Sequence, residues 1–91
     1  KGIARSLATE LGRDGITVNA IAPGYFKTEM NARLLADQAF VDKINARVAL
    51  RRWAEPAELG GAAVFLASAA GAYVTGHQLV VDGGLTTTLT M

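Results

Sequence analysis

The chain has 91 residues, 51% of them hydrophobic and 19% charged, which suits one small globular domain at most. A net charge of +1 gives no reason to expect a nucleic acid or an anionic membrane surface as partner. There is no cysteine, so disulfides, zinc thiolate sites and cysteine nucleophiles are excluded; this absence fits a cytosolic protein without requiring one.

Residue 1 is Lys, and "KGIARSLATELG" reads as helix from its first residues, with no basic stretch, apolar run and cleavage site of a signal peptide. A chain that begins inside a periodic helix is expected to be a piece of something longer. Ile3, Leu7 and Leu11, with Ala4 and Ala8 beside them, make one apolar face. Gly12 is placed to end the helix, and "RDG" makes the turn. Residues 16–22 then read as a strand apolar on both faces, as in a parallel sheet covered on both sides. Asn19 is its polar exception and needs partners, expected on the backbone of a neighbouring loop.

Pro23-Gly24 stops the strand. Thr28 is a candidate N-cap for a short amphipathic helix holding Met30, Leu34 and Leu35. Asp37 caps a second helix in which Phe40, Ile44 and Val48 repeat every four residues. A third helix starts at Pro56, with Glu58 placing negative charge in its first turn. Leu59, Ala62, Ala63 and Leu66 form its expected buried stripe, and Gly60 and Gly61 are expected to let it pack closely on a sheet. Residues 59–76 carry no charge over a length that could span a membrane, but they are rich in Ala and Gly. Ser68, Gly71, Thr75 and Gly76 break the run into a buried helix and a loop, so no membrane partner is expected. "HQLVVDGG" closes the chain with a short strand and a turn at Asp82-Gly83-Gly84. The order helix, strand, helices, helix, strand implies βαβ units and a parallel sheet whose other strands lie upstream. The fold is α/β and incomplete.

Open α/β sheets bind ligands beyond the carboxyl ends of their strands, where Pro23-Gly24 falls. Pro ends the ladder, Gly admits close approach, and the following peptide groups suit a ligand with one donor and one acceptor face. Thr28 can add a hydroxyl. On the residues alone, a Pro-Gly pair after a strand is first of all a turn.

Three blocks, "TVNAIAPGYFKTEM", "RRWAEPAELGGAAVFLAS" and "YVTGHQLVVDGG", resemble in order and spacing the C-terminal part of the short-chain dehydrogenases/reductases. The resemblance implies that residues 1–91 are the C-terminal part of one NAD(P)-binding, Rossmann-type doubly wound domain. It implies that Pro23, Gly24, Tyr25 and Phe26 line the nicotinamide of NAD or NADP and that Thr28 contacts its carboxamide or pyrophosphate. Residues 29–48 match the mobile substrate lid, giving a lid region of 28–50.

The same resemblance marks the Gly-rich phosphate loop and the Ser and Tyr-x-x-x-Lys catalytic set as missing, so no catalytic residue is expected here. Lys1 falls one helical turn after the family's catalytic Lys and reads as a solvated helix residue. His77 is expected at the surface, Asp82 as a turn residue, and Trp53 in packing. Arg52 is expected to anchor the lid's end through an ion pair with a partner the sequence does not name, and Ala54 departs from a more usual Gly. No metal site is expected.

The implied whole protein is a cytoplasmic homotetrameric oxidoreductase, moving a hydride between nicotinamide and a small carbonyl or alcohol substrate. The lid most resembles the gluconate 5-dehydrogenase branch, acting on a sugar acid or polyol. A 3-oxoacyl-carrier-protein reductase is the alternative, and a non-catalytic remnant or oligomerisation module a third. This chain by itself is expected to show no turnover.

Overall fold

The computed structural model describes residues 2–87, so the expectation for Lys1 lies outside the described residues. The elements are α1 (Gly2–Leu11), β1 (Ala20–Pro23), α2 (Ala32–Leu35), α3 (Gln38–Arg47), α4 (Pro56–Ala67) and β2 (Gln78–Val81), joined by short 3-10 turns. Two compact units share them. The first takes the chain up to Ala22 together with Gly60–Val80; the second takes Pro23–Leu59 and the residues from Val81 onward.

In the first unit α1 stops at Leu11 rather than being capped by Gly12. A 3-10 turn, Gly12–Asp14, carries the chain to Gly15, whose φ of 74° takes the left-handed position and whose N–H reaches the Gly12 carbonyl at 3.0 Å. The strand is shorter than residues 16–22 suggest. Residues 16–19 make no ladder because other partners take their polar groups: the N–H of Val18 donates to Thr75 Oγ1 at 3.0 Å, and the Val18 carbonyl accepts from Gly76 N–H at 2.8 Å. Asn19 meets the expectation made for it. Its Nδ2 donates to the Val74 carbonyl at 3.0 Å, and its Oδ1 accepts from His77 N–H at 3.1 Å. The Ala20 N–H then bonds the His77 carbonyl and, four residues on, Gly24 N–H bonds the Val81 carbonyl, so β1 and β2 run parallel. The α/β expectation is borne out.

Burial departs from the periodicity in this unit. Ala4 and Ala8 are the buried positions of α1, while Ile3 is 77% exposed. None of α4, whose first four residues belong to the second unit, is buried: Ala63 lies open, Leu59, Ala62 and Leu66 are half-buried, and outside the helix's own backbone nothing among the described residues lies within 4 Å of a Cβ built on Gly60 or Gly61. The expected stripe and close packing are therefore not made here. The break into helix and loop is made, with α4 ending at Ala67 and a 3-10 turn at Ala69–Gly71. Among the described residues no helix is long and apolar enough to cross a membrane.

The second unit has a core of its own. Ile44, Val48 and Trp53 are buried together, with Tyr25, Leu35, Phe40, Val41 and Leu85 packed around them. Residues 40, 44 and 48 supply the face that their spacing predicts. Asp37 caps α3 by accepting from the Phe40 N–H at 3.2 Å. Pro56 opens α4 as its first residue.

Candidate functional site

The site begins where β1 ends. Pro23 is exposed, and Gly24 donates to the Val81 carbonyl at 2.9 Å. A Cβ on Gly24 would stand 2.7 Å from Asp82 Cβ and 2.8 Å from its Cα. Glycine is needed here because the backbone is pressed on the turn after β2.

That turn is held by Asp82, which accepts from Gly84 N–H at 2.9 Å, Thr86 N–H at 3.0 Å and Thr86 Oγ1 at 2.8 Å. Burial pushes the Asp82 carboxyl up, but these hydrogen bonds outweigh it and leave the group below its ordinary value. Asp82 is the turn residue its sequence context suggests, and His77 is exposed, as expected.

Tyr25 and Phe26 follow with distinct roles. The Tyr25 ring enters the core of the second unit, its centroid 5.0 Å from that of Trp53 and 5.9 Å from that of Phe40. Phe26 is buried and pairs with Ala54 in an isolated parallel bridge, in which Ala54 N–H reaches the Tyr25 carbonyl at 3.0 Å and Lys27 N–H the Ala54 carbonyl at 2.8 Å. Ala54 thus has a definite place. Among the described residues, the Gly24 carbonyl and the N–H groups of Tyr25 and Phe26 take no part in any hydrogen bond.

Thr28 stands at the N-cap position of a 3-10 turn, Glu29–Asn31, that leads into α2, yet its side chain caps nothing. Among the described residues its hydroxyl has no partner. Asn31 does what sequence reasoning missed: its Nδ2 donates to the Phe26 carbonyl at 2.7 Å and pins the loop from the far side of the turn. A polar residue three places after a candidate cap was the available signal.

The far end of the segment is tied as well. Arg52 makes a two-point ion pair with Glu58, both N···O distances 2.7 Å, and Glu58 Oε1 also accepts from Glu55 N–H at 2.9 Å. The Arg52 hydrogen bond, then that from the Glu55 N–H, lowers the Glu58 carboxyl from 4.5 to about 2, and Glu58 in turn raises Arg52. The partner that the sequence left unnamed is Glu58. Lys27 Nζ lies 3.1 Å from Glu55 Oε2, linking the two ends again at the surface.

Beside Tyr25 and Phe26 lies a cavity of about 110 Å³, walled by Val48, Leu50 and Asp82 among others. Trp53 packs, as expected, but its Nε1 is buried without a partner among the described residues. The Gly24 carbonyl and the Phe26 N–H, an acceptor and a donor from different peptide groups, and a Thr28 hydroxyl with no partner among the described residues match the needs of a primary carboxamide.

The sequence matches the family model described as Enoyl-(Acyl carrier protein) reductase over residues 1–86. It is 48% identical over 89 residues to gluconate 5-dehydrogenase of Gluconobacter oxydans (strain 621H), covering 98% of this chain and 35% of that protein. It is 52% identical over 85 residues to 5-keto-D-gluconate 5-reductase of Escherichia coli (strain K12), covering 93% and 34%. Among solved structures it is similar to a gluconate 5-dehydrogenase from Burkholderia cenocepacia J2315 in complex with NADP and tartrate. That likeness has a TM-score of 0.81 and 47% identity, over 98% of this chain and 36% of the other. The chain spans about a third of the length of the curated relatives it matches.

Proposed function

This chain belongs to the short-chain dehydrogenase/reductase family, and from that premise we propose that it forms the nicotinamide loop and the substrate lid of an NAD(P)-dependent oxidoreductase acting on a sugar acid such as gluconate. Pro23, Gly24, Tyr25 and Phe26 line the nicotinamide, and Thr28 bonds the carboxamide or pyrophosphate. Residues 28–50 cover the substrate as part of one NAD(P)-binding domain. When bound, the reduced cofactor supplies a hydride to the carbonyl carbon of a keto sugar acid. The task of these residues is to hold and orient the ring, and that of the lid is to exclude water and choose the substrate.

The observation that carries this reading is the set of unused polar groups at the carboxyl end of β1. The Gly24 carbonyl, the Tyr25 and Phe26 N–H groups and the Thr28 hydroxyl are all without partners among the described residues. The choice of sugar acid is supported by the similarity to gluconate 5-dehydrogenase and 5-keto-D-gluconate 5-reductase over nearly the whole of this chain. The proposed whole protein is a cytoplasmic homotetramer, and the apolar side chains that α1 and α4 leave uncovered, Ile3 and Val64 foremost, suit burial between subunits.

The test is oxidation of NADPH and of NADH by the full-length protein that carries this chain, with 5-keto-D-gluconate as substrate and a 3-oxoacyl thioester as competitor. Turnover is expected with the sugar acid. Gly24→Val is expected to raise the cofactor KM by at least about tenfold, since the added carbons collide with Asp82. Turnover with the thioester alone would replace the substrate assignment. An unchanged cofactor KM in Gly24→Val would remove the loop from the cofactor site.

A further inference from the structure

Resting on that reading of residues 23–28, we infer that Phe40 and Trp53 are positioning residues for the cofactor loop. They hold the ring of Tyr25 so that lid and loop respond as one unit, a lid-bound ligand tightening the cofactor and the cofactor tightening the ligand in return.

The three rings come from three functionally different stretches. Tyr25 lies in the loop at the end of β1, Phe40 on α3 inside the lid region, and Trp53 just after it. Phe40 meets both other rings edge to face, and the Tyr25 and Trp53 rings are tilted on each other. Centroids are 5.9 Å apart at 72° for Tyr25 and Phe40, 5.0 Å at 54° for Tyr25 and Trp53, and 6.3 Å at 70° for Phe40 and Trp53. Each ring touches the other two, so removing one loosens both remaining neighbours.

The backbone reinforces this. The Ala54 N–H bonds the Tyr25 carbonyl, and the Ala54 carbonyl takes the Lys27 N–H, so the residue after Trp53 grips the peptide groups on either side of Phe26. A displacement of α3 that carries the Phe40 ring therefore acts on the Tyr25 ring, one peptide from the groups assigned to the carboxamide. The coupling has a continuous packed route and is reciprocal by linkage. The Lys27–Glu55 pair is a poorer carrier, because both side chains are half or more exposed and salt screens them.

The measurement is the NADPH dissociation constant of the full-length protein with and without saturating D-gluconate, a pair that does not react. Wild type is expected to bind NADPH at least about fivefold tighter with gluconate present. Phe40→Ala empties a partly buried site and risks the fold, so Phe40→Leu is the decisive variant. In Phe40→Leu the ratio is expected to fall to about one, both KM values to rise roughly 3- to 10-fold, and kcat to stay within about twofold. Phe40→Tyr restores the ratio. A Phe40→Leu protein that keeps the wild-type ratio, or a wild type with none, overturns the inference. A wild type that binds neither NADPH nor NADH overturns instead the cofactor-loop reading beneath it.

Discussion

The two compact units expose apolar side chains alike, Met30 and Leu50 in the second among them, but differ in what they bury. The second hides Phe26, Ile44, Val48 and Trp53, the last at 3% exposure, around a set of rings. The first buries Ala4 and Ala8 on α1 and leaves Ile3, Val64, Phe65 and Tyr73 facing outward. Fully burying a large apolar side chain is worth about 1.5–3 kcal/mol, and a single methyl group about 0.8 kcal/mol. Most of the burial energy of the described residues therefore resides in the lid-bearing unit. A hydrophobic period shows which face of a helix wants cover. It does not show that the same stretch of chain provides it.

The sharpest attack on this contrast is a pair of truncations. Trp53→Ala is expected to cost about 3–5 kcal/mol in urea unfolding, because it empties the centre of the second unit. Val64→Ala, at a position 67% exposed, is expected to stay within about 0.5 kcal/mol of wild type. Equal losses would erase the distinction. A gain of stability sharpens it from the other side. Gly61→Ala, in the interior of α4 with no atom of another part of the described residues within 4 Å of the new methyl, is expected to stabilise by about 0.5–1 kcal/mol. Destabilisation there would mean that the helix face is packed after all, as its glycines suggested.

The smallest effect concerns the surface tie at the end of the lid. The folded Glu58 carboxyl lies at about 2, below its ordinary 4.5. Its pairing with Arg52 therefore contributes fully above pH 4.5 and is lost as pH falls toward about 2. The Tm difference between wild type and Glu58→Gln should shrink over that window and with added salt, and should be modest because both groups are solvated. A difference that is independent of pH would exclude the ion pair with Arg52 as its cause.

What could be read from sequence was what local chemistry decides. Asp37 and Pro56 mark helix starts because a carboxylate cap and a missing N–H act within one turn. Asp82 with two glycines fixes a turn for the same reason, and the four-residue spacing of Phe40, Ile44 and Val48 found the core of the second unit. Long-range partners were not readable. Nothing in residues 16–19 announces that Thr75 and Gly76 will claim Val18 and shorten the strand. Nor does Thr28 announce that its hydroxyl will leave the cap empty. The candidate loop was located from Pro23-Gly24, but the closeness of Asp82 to Gly24, the Asn31 brace and the bridge from Phe26 to Ala54 are products of the fold.

Trp53 is the chain's single tryptophan, and it sits in the buried cluster beside Tyr25 with an indole N–H that meets no acceptor among the described residues. An indole so placed makes the molecule optically divided. Its emission follows the lid-bearing unit and is blind to the other, whereas far-ultraviolet dichroism sums over α1, α3 and α4 and so over both units. Recorded together along one denaturation curve, the two signals would report whether the units melt as one or in turn.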